Sequence, residues 1–321
     1  MPTAIVVQQA GGPEVLRVAE VDRPRPSGSE LQVRVAAAGI NYIETYQRSG
    51  YYPVQYPFTP GAEAAGEVVA VGPDASGFAV GDRVAFAEGV GTYAQFTLVD
   101  AGKALPVPEQ ISFETAAALP LQGMTAHYLT NTSFTVQLGQ TVLTHAGAGG
   151  VGLLLIQLLK AKGARVITTV STDEKEALAR EAGADDVLRY EGFDTAVRDL
   201  THGVGVDVVY DGVGRATFDG SLASLRKRGT LVLFGAASGP VPAFDPQRLA
   251  ATGSVYLTRP KLLDHLLTVE ERRWRSSEVF AAVVDGSLQV RIGATYPLEA
   301  ASQAHEDLEA RKTTGKLLLI P

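Results

Sequence analysis

Gly147-Ala148-Gly149-Gly150-Val151-Gly152 constrains this chain more than any other segment. It stands directly after the apolar run Thr141-Val142-Leu143-Thr144-His145 and directly before a helix-patterned stretch from Val151 to Lys162. A G-x-G-x-x-G string is weak on its own, but between a strand and a helix it reads as the turn of a βα unit that holds a dinucleotide. The first glycine permits a tight bend, the second lets the backbone approach a pyrophosphate, and the third lets helix pack on strand. The helix N-terminus then faces the negative charge. A glycine-rich turn without a ligand is the competing reading, and it loses weight because more βα units follow. Arg165 to Val170, Val206 to Tyr210 and Gly229 to Phe234 read as strands, with Glu174 to Glu181 as an intervening helix. Such alternation predicts an α/β region with a doubly wound, parallel sheet.

Before residue 120 the texture is different. Leu31-Gln32-Val33-Arg34-Val35 alternates at period two, Glu67 to Val71 and Arg83 to Phe86 are short apolar runs, and Gly, Pro, Asp and Ser separate them. This pattern predicts an irregular, mainly β unit. An alanine-rich helix is expected from Ser112 or Phe113, ending near Pro120. After Pro260 come a helical stretch, a strand at Gln289 to Ile292 and a last strand, Lys316 to Ile320, which could pair back with the opening β unit and make that domain discontinuous. Two domains also suit 321 residues, at roughly 100 to 200 residues per domain.

Composition excludes several chemistries. There is no cysteine, so disulfides, thiolate metal sites and a cysteine nucleophile are ruled out. A net charge of −7 offers no basic footprint for nucleic acid. No signal-like N-terminus or long apolar span is evident, which makes a cytoplasmic protein without a membrane anchor the expectation.

The second βα strand bears on cofactor choice, because an acid at its end would receive the ribose hydroxyls of NAD and repel a 2′-phosphate. Ser171 stands there instead, with Lys175 one helical turn on; this favours NADPH. Asp173 is the complication, since it could be the ribose acid. A capping box of Ser171 with Glu174 would instead put it in the first helical turn, where acids are favoured anyway.

Pro60-Gly61-Ala62-Glu63-Ala64-Ala65-Gly66-Glu67-Val68-Val69-Ala70-Val71-Gly72, followed by Gly81-Asp82-Arg83-Val84, resembles the medium-chain dehydrogenase/reductase superfamily. Its zinc alcohol dehydrogenases carry histidine where this chain has Ala62 and cysteine where it has Asn41. Gly11 to Leu16, Gly39-Ile40-Asn41, the spacing of Gly139-Gln140, Leu143, Gln157 and Lys160 around the glycine turn, Tyr210-Asp211-Gly212-Val213-Gly214 and Thr258-Arg259-Pro260 resemble its zinc-independent, zeta-crystallin-like quinone oxidoreductase branch over the whole length. That resemblance implies a Rossmann domain at 124–260, a discontinuous GroES-like domain at 1–123 and 261–321, NADPH, no metal, homodimers, and a quinone held in an interdomain cleft. Carried over position by position, Ser171, Thr172, Lys175, Tyr190 and Arg311 lie near the adenosine phosphate. Asn41, Thr125, Gly147, Gly149, Gly150, Val151, Gly152 and Gly214 line the cofactor cleft, and Phe234 and Gly235 sit near the nicotinamide.

Quinone oxygens gain negative charge on reduction, so donors aimed at them would stabilise the transition state. Asn41, Tyr46 and Tyr52 are the expected donors, with Arg259 as an electrostatic contributor. Each has a bland alternative: a tyrosine in a Tyr/Pro-rich loop often only packs, and Asn41 could form an Asx turn. For His145 and Glu63 a structural role is the stronger reading. Reduction of activated alkenes such as enals and enones would use the same cofactor geometry, and an NADPH-binding structural or RNA-binding protein is a third possibility.

Overall fold

A computed structural model describes residues 1–321. The chain divides into two compact units, Met1–Met124 with Thr268–Pro321, and Thr125–Leu267.

The first unit opens with β1 (Thr3–Val6), β2 (Arg17–Glu20) and β3 (Glu30–Ile40), then α1 (Tyr42–Arg48), β4 (Ala64–Val71), β5 (Arg83–Phe86), β6 (Phe96–Asp100), β7 (Leu105–Pro106) and α2 (Phe113–Ala117). The alanine-rich segment is helical but divided. Ser112 caps α2 by accepting from Thr115 N–H, α2 ends shortly before Pro120 as expected, and Pro120 also begins a second helix, α3 (Pro120–Tyr128). A proline lacks only an N–H that the first helical position does not use, so it starts a helix as readily as it stops one.

In the second unit β8 (Thr141–Thr144), α4 (Gly150–Ala161), β9 (Arg165–Thr169), α5 (Asp173–Glu181), β10 (Asp186–Leu188), α6 (Phe193–Leu200), β11 (Val206–Asp211), α7 (Phe218–Ser224), β12 (Leu225–Leu233), α8 (Gln247–Ala251) and β13 (Tyr256–Thr258) follow one another. The six strands form one parallel sheet in the order β10-β9-β8-β11-β12-β13. This is the doubly wound order, whose direction reverses between β8 and β11. Ligands of such sheets sit beyond the strand C-termini at that reversal. Leu143, Ile167, Val209 and Leu231 from four neighbouring strands, with Phe193, Val197, Phe218 and Leu222 from α6 and α7, make a core with every member under 6% exposed. Each such large side chain contributes about 1.5–3 kcal/mol by leaving water.

The chain then returns to the first unit with α9 (Val269–Val284), β14 (Ile292–Pro297), α10 (Ala301–Glu309) and β15 (Lys316–Ile320). The expected strand at Gln289 starts only at Ile292, because Gly286 to Arg291 is spent leaving α9. Leu317, Leu318 and Leu319 of β15 pair antiparallel with Ile40, Gly39 and Ala38, so the closing strand is laid against the opening β unit. β3 is thereby flanked along its length by β15, β4 and β6, and its end is fixed where Asn41 begins α1. No helix is long and apolar enough to cross a membrane.

Candidate active site

The glycine-rich turn connects β8 to α4. Its strained residue is Ala146, at φ +56°, and not Gly147. The glycines serve close approach instead. A Cβ on Gly147 would overlap the Thr168 side chain, and one on Gly152 would overlap the carbonyl oxygen of Ala146. Gly149 is the N-cap of α4 and no side chain caps that end. Gly150, Val151 and Gly152 therefore carry the helix's first N–H groups, which have no intrahelical acceptors. A cradle that side chains would fill, at an uncapped helix N-terminus on the sheet's reversal point, fits a dinucleotide pyrophosphate.

Beneath the turn lies a buried polar network. His145 Nδ1 is 2.8 Å from Thr169 Oγ1 and its Nε2 is 2.9 Å from Ser221 Oγ. Ser221 donates to Asp211 Oδ2 at 2.7 Å. Asp211, fully buried, also accepts from Val213 and Gly214 N–H and from Thr217 Oγ1. A carboxylate only accepts, so the Ser221 proton goes to Asp211 and Nε2 of His145 must carry the ring's hydrogen. Burial pushes the His145 pKa down, against the pull of Asp211. With both ring nitrogens engaged, His145 ties strand to helix and has no free atom for catalysis.

At the end of β9, the cap of α5 is Thr172, not Ser171; Thr172 Oγ1 accepts from Lys175 N–H at 3.3 Å. The expected capping box does not form: with Thr172 as the cap, the third helical position is Lys175, which has no acceptor to complete one. Ser171 and Thr172 are exposed and Lys175 Nζ lies 3.4 Å from Ser171 Oγ. Asp173 bonds to Arg189, which also reaches Glu176 at 2.9 Å. The Asp173 side chain is 95% exposed, so that ion pair is weak. Arg189 was missed in the sequence because it lies beyond β10, far from the turn it adjoins. Next to it, Tyr190 stacks on His145 with ring centroids 6.2 Å apart.

Gly214 follows β11 at φ +87°, and at the end of β12 the Phe234 ring covers Gly212. Gly235 packs so closely on Gly212 that a Cβ would overlap its carbonyl. The sheet's C-terminal edge thus gathers Gly147, Gly149, Gly150, Val151, Gly152, Ser171, Thr172, Lys175, Tyr190, Gly214, Phe234 and Gly235. Thr125, in α3, is 6% exposed, and Arg259 is exposed beyond β13 with its guanidinium 3.1 Å from the Pro260 carbonyl.

In the first unit Asn41, Tyr46 and Tyr52 come together around α1. Tyr46 and Tyr52 meet edge to face with centroids 5.3 Å apart, Tyr51 stacks on Tyr52 at 5.2 Å, and Tyr52 N–H donates to the Tyr46 carbonyl at 2.9 Å. Tyr42 Oη donates to Leu308 O at 3.0 Å, joining α1 to α10, past which Arg311 is exposed at φ +56°. Behind Asn41 is a cluster that periodicity gave no sign of. Lys316 and Glu63 form an ion pair, Asn41 Nδ2 donates to Glu63 Oε2 at 2.8 Å, and Lys316 Nζ donates to Asn41 Oδ1 at 2.7 Å. Leu121 N–H donates to the other Glu63 oxygen at 2.6 Å, and Gln122 Nε2 lies 3.3 Å from Asn41 Oδ1. Glu44 accepts from Asn41 N–H at 2.7 Å. Its pKa is pushed up to about 8, first by burial, with Lys316 opposing. Asn41 is thus a helix-capping residue tied into an ionic cluster, beyond a simple Asx turn.

Two family models match: the alcohol dehydrogenase GroES-like domain over residues 27–109 and the zinc-binding dehydrogenase over 150–264. A mycobacterial protein solved with NADPH superposes with a TM-score of 0.97 at 52% identity, covering 100% of both chains. Escherichia coli quinone oxidoreductase, solved with NADPH, gives 0.97 at 42% identity over 99% of this chain and 100% of that one. A 2-haloacrylate reductase of Burkholderia is 37% identical over 100% of this chain and 99% of its own length. Full-length identity of this order, on top of the doubly wound sheet and the glycine cradle, assigns the chain to the zeta-crystallin-like quinone oxidoreductase branch of the medium-chain dehydrogenase/reductase superfamily.

Proposed function

We propose that this protein is an NADPH-dependent quinone oxidoreductase. The observation that carries the cofactor assignment is the uncapped N-terminus of α4 at the sheet's reversal point, with Ser171, Thr172 and Lys175 at the end of the neighbouring strand. Gly150, Val151 and Gly152 would hold the pyrophosphate by backbone N–H groups. Ser171, Thr172, Lys175 and Tyr190 would hold the adenosine phosphate, and no acid at position 171 repels it. Thr125, Gly214, Phe234 and Gly235 would flank the nicotinamide half, which when bound supplies the reducing equivalents.

The remaining tasks fall to the chain's own side chains. Asn41, Tyr46 and Tyr52 present hydrogen-bond donors to the acceptor's oxygens, which become more basic as electrons arrive, so these bonds strengthen on the way to the transition state. The tyrosine rings give a planar acceptor flat apolar faces. Arg259 adds positive potential, and a proton from solvent completes the hydroquinone. A second reading, reduction of an electron-poor alkene, draws support from the 2-haloacrylate reductase likeness and needs the same donors on a carbonyl conjugated to the double bond.

The test is NADPH oxidation against a panel of quinones and enones with the enzyme at fixed concentration. Rapid quinone-dependent oxidation with slower enone turnover is expected. Turnover of enones without quinones would replace this reading by the second, and NADPH binding without turnover of either would leave only a binding protein.

A further inference from the structure

Asn41 is the outermost of four buried side chains, the others being Glu44, Glu63 and Lys316. It is 5% exposed, whereas Glu63 and Glu44 are at 0% and Lys316 at 1%. An ammonium ion and a carboxylate taken wholly out of water cost several kcal/mol each unless paired and hydrogen bonded, so this arrangement is demanding for the fold. β3 makes room for it: a Cβ on Gly39 would overlap the Glu63 carboxylate and lie 2.8 Å from Lys316 Cε. Gly39 has no left-handed backbone to explain it, so the glycine serves the ion pair.

The chemistry of the cluster dictates which way the Asn41 amide faces. A lysine ammonium can only donate, and it lies 2.7 Å from Oδ1; an ionised carboxylate can only accept, and Glu63 lies 2.8 Å from Nδ2. Turning the amide over would set donor against donor and acceptor against acceptor in a low-dielectric site. With Gln122 Nε2 also on Oδ1, the carbonyl is saturated. One Nδ2 hydrogen is all that Asn41 has left to offer.

We infer that Lys316 and Glu63 are positioning residues that lock the Asn41 amide as a one-way hydrogen-bond donor to the electron acceptor. This rests on the reading that Asn41 meets the acceptor. An unconstrained asparagine could as readily turn its carbonyl to a developing oxyanion, which would repel it. The buried pair removes that alternative before substrate arrives, so no reorientation is required during reaction.

The test combines side-chain amide NMR of the whole protein with kinetics. In the unmutated protein, the Asn41 side-chain pair, identified by its loss in Asn41→Ala, should show two distinct, slowly exchanging protons. One should lie far downfield from its carboxylate bond, and the other should move when quinone is added. The double variant Glu63→Gln/Lys316→Met removes both buried charges together, and Lys316→Arg keeps the cation. The double variant should melt near the parent yet lose roughly tenfold or more in kcat with the NADPH KM within twofold, and Lys316→Arg should recover most of the loss. Averaged, rapidly exchanging Asn41 amide protons in the unmutated protein overturn the inference whether or not the double variant folds. So does a double variant with parental kcat while Asn41→Ala is slow; in that case the placement of Asn41 survives. If Asn41→Ala itself keeps parental kcat, that placement falls and the inference with it.

Discussion

Gly214 donates its backbone N–H to Oδ1 of Asp211 at 2.9 Å, so a turn held at φ +87° is fastened to a carboxylate with no solvent exposure. Val213 N–H, Thr217 and Ser221 satisfy the rest of that carboxylate, and Ser221 hands the constraint on to His145 beside the glycine turn. Two loops of the cofactor edge are therefore braced by one acid. Asp211→Leu leaves the buried donors of Val213, Gly214, Thr217 and Ser221 without their acceptor, at about 1–3 kcal/mol for each that finds no other partner, and should raise the NADPH KM. Asp211→Asn keeps an acceptor for the two backbone N–H groups but presents Nδ2 to Ser221. Ser221 must then turn its proton to His145, moving the imidazole hydrogen from Nε2 to Nδ1. Imidazole nitrogen shifts in the two proteins check this; an unchanged tautomer in Asp211→Asn contradicts the network as drawn.

Glu44 gives folding a distinctive pH dependence. Its carboxyl, ordinarily near 4.5, is pushed up to about 8, chiefly by burial. Folding thus takes up a proton between those values, and stability present in full below pH 4.5 is lost as pH rises through about 8. From this one group the slope is about 1.4 kcal/mol per pH unit. His305 runs the other way: burial, aided by Arg48, lowers it from 6.5 to about 3, so its contribution is lost as pH falls through that range. Above pH 6.5 Glu44 acts without that opposition. Urea melts between pH 6.5 and 8 should show declining stability in the parent and a much flatter profile in Glu44→Gln. Equal slopes in the two proteins would refute a protonated Glu44.

What the sequence made legible was local. The glycine turn announced itself because strand, turn and helix are adjacent, and period-two runs such as Leu31 to Val35 mark strands wherever one face is buried. Ser171 and Lys175 were readable because both follow one strand. The Glu63 and Lys316 partnership was not: it joins positions 253 residues apart through the pairing of β15 with β3, and neither residue lies in a pattern that signals burial. Arg189 escaped for the same reason, and Pro120 marked the end of the alanine-rich helix without showing that it also opens the next one. Gly39 did carry a clue, a glycine inside a strand, which calls for something large approaching the backbone.

Ser171→Asp should change cofactor preference. In the parent no carboxylate occupies the end of β9, since Asp173 lies in the first turn of α5 and bonds to Arg189. An acid at 171 would sit beside Lys175, neutralising it, and would repel a 2′-phosphate while accepting from ribose hydroxyls. NADPH kcat/KM should fall tenfold or more, about 1.4 kcal/mol or greater, while NADH improves. Binding by fluorescence titration separates affinity from turnover. Retained NADPH affinity would move the phosphate away from Ser171.

Tyr52→Phe tests the acceptor side without disturbing packing. The ring is held by Tyr46 at 5.3 Å and Tyr51 at 5.2 Å, and the residue is 36% exposed, so phenylalanine can keep both contacts and lose only the hydroxyl. Thermal stability should therefore change by less than about 0.5 kcal/mol, as for other surface substitutions. If the hydroxyl donates to the acceptor's developing oxyanion, kcat should drop roughly tenfold or more while the NADPH dissociation constant stays put, because the loss is confined to the transition state. Tyr52→Ala should lose ring contacts as well and raise the quinone KM. Parental kcat in Tyr52→Phe together with a raised quinone KM in Tyr52→Ala would assign Tyr52 to holding the ring alone, leaving Asn41 and Tyr46 as the donors.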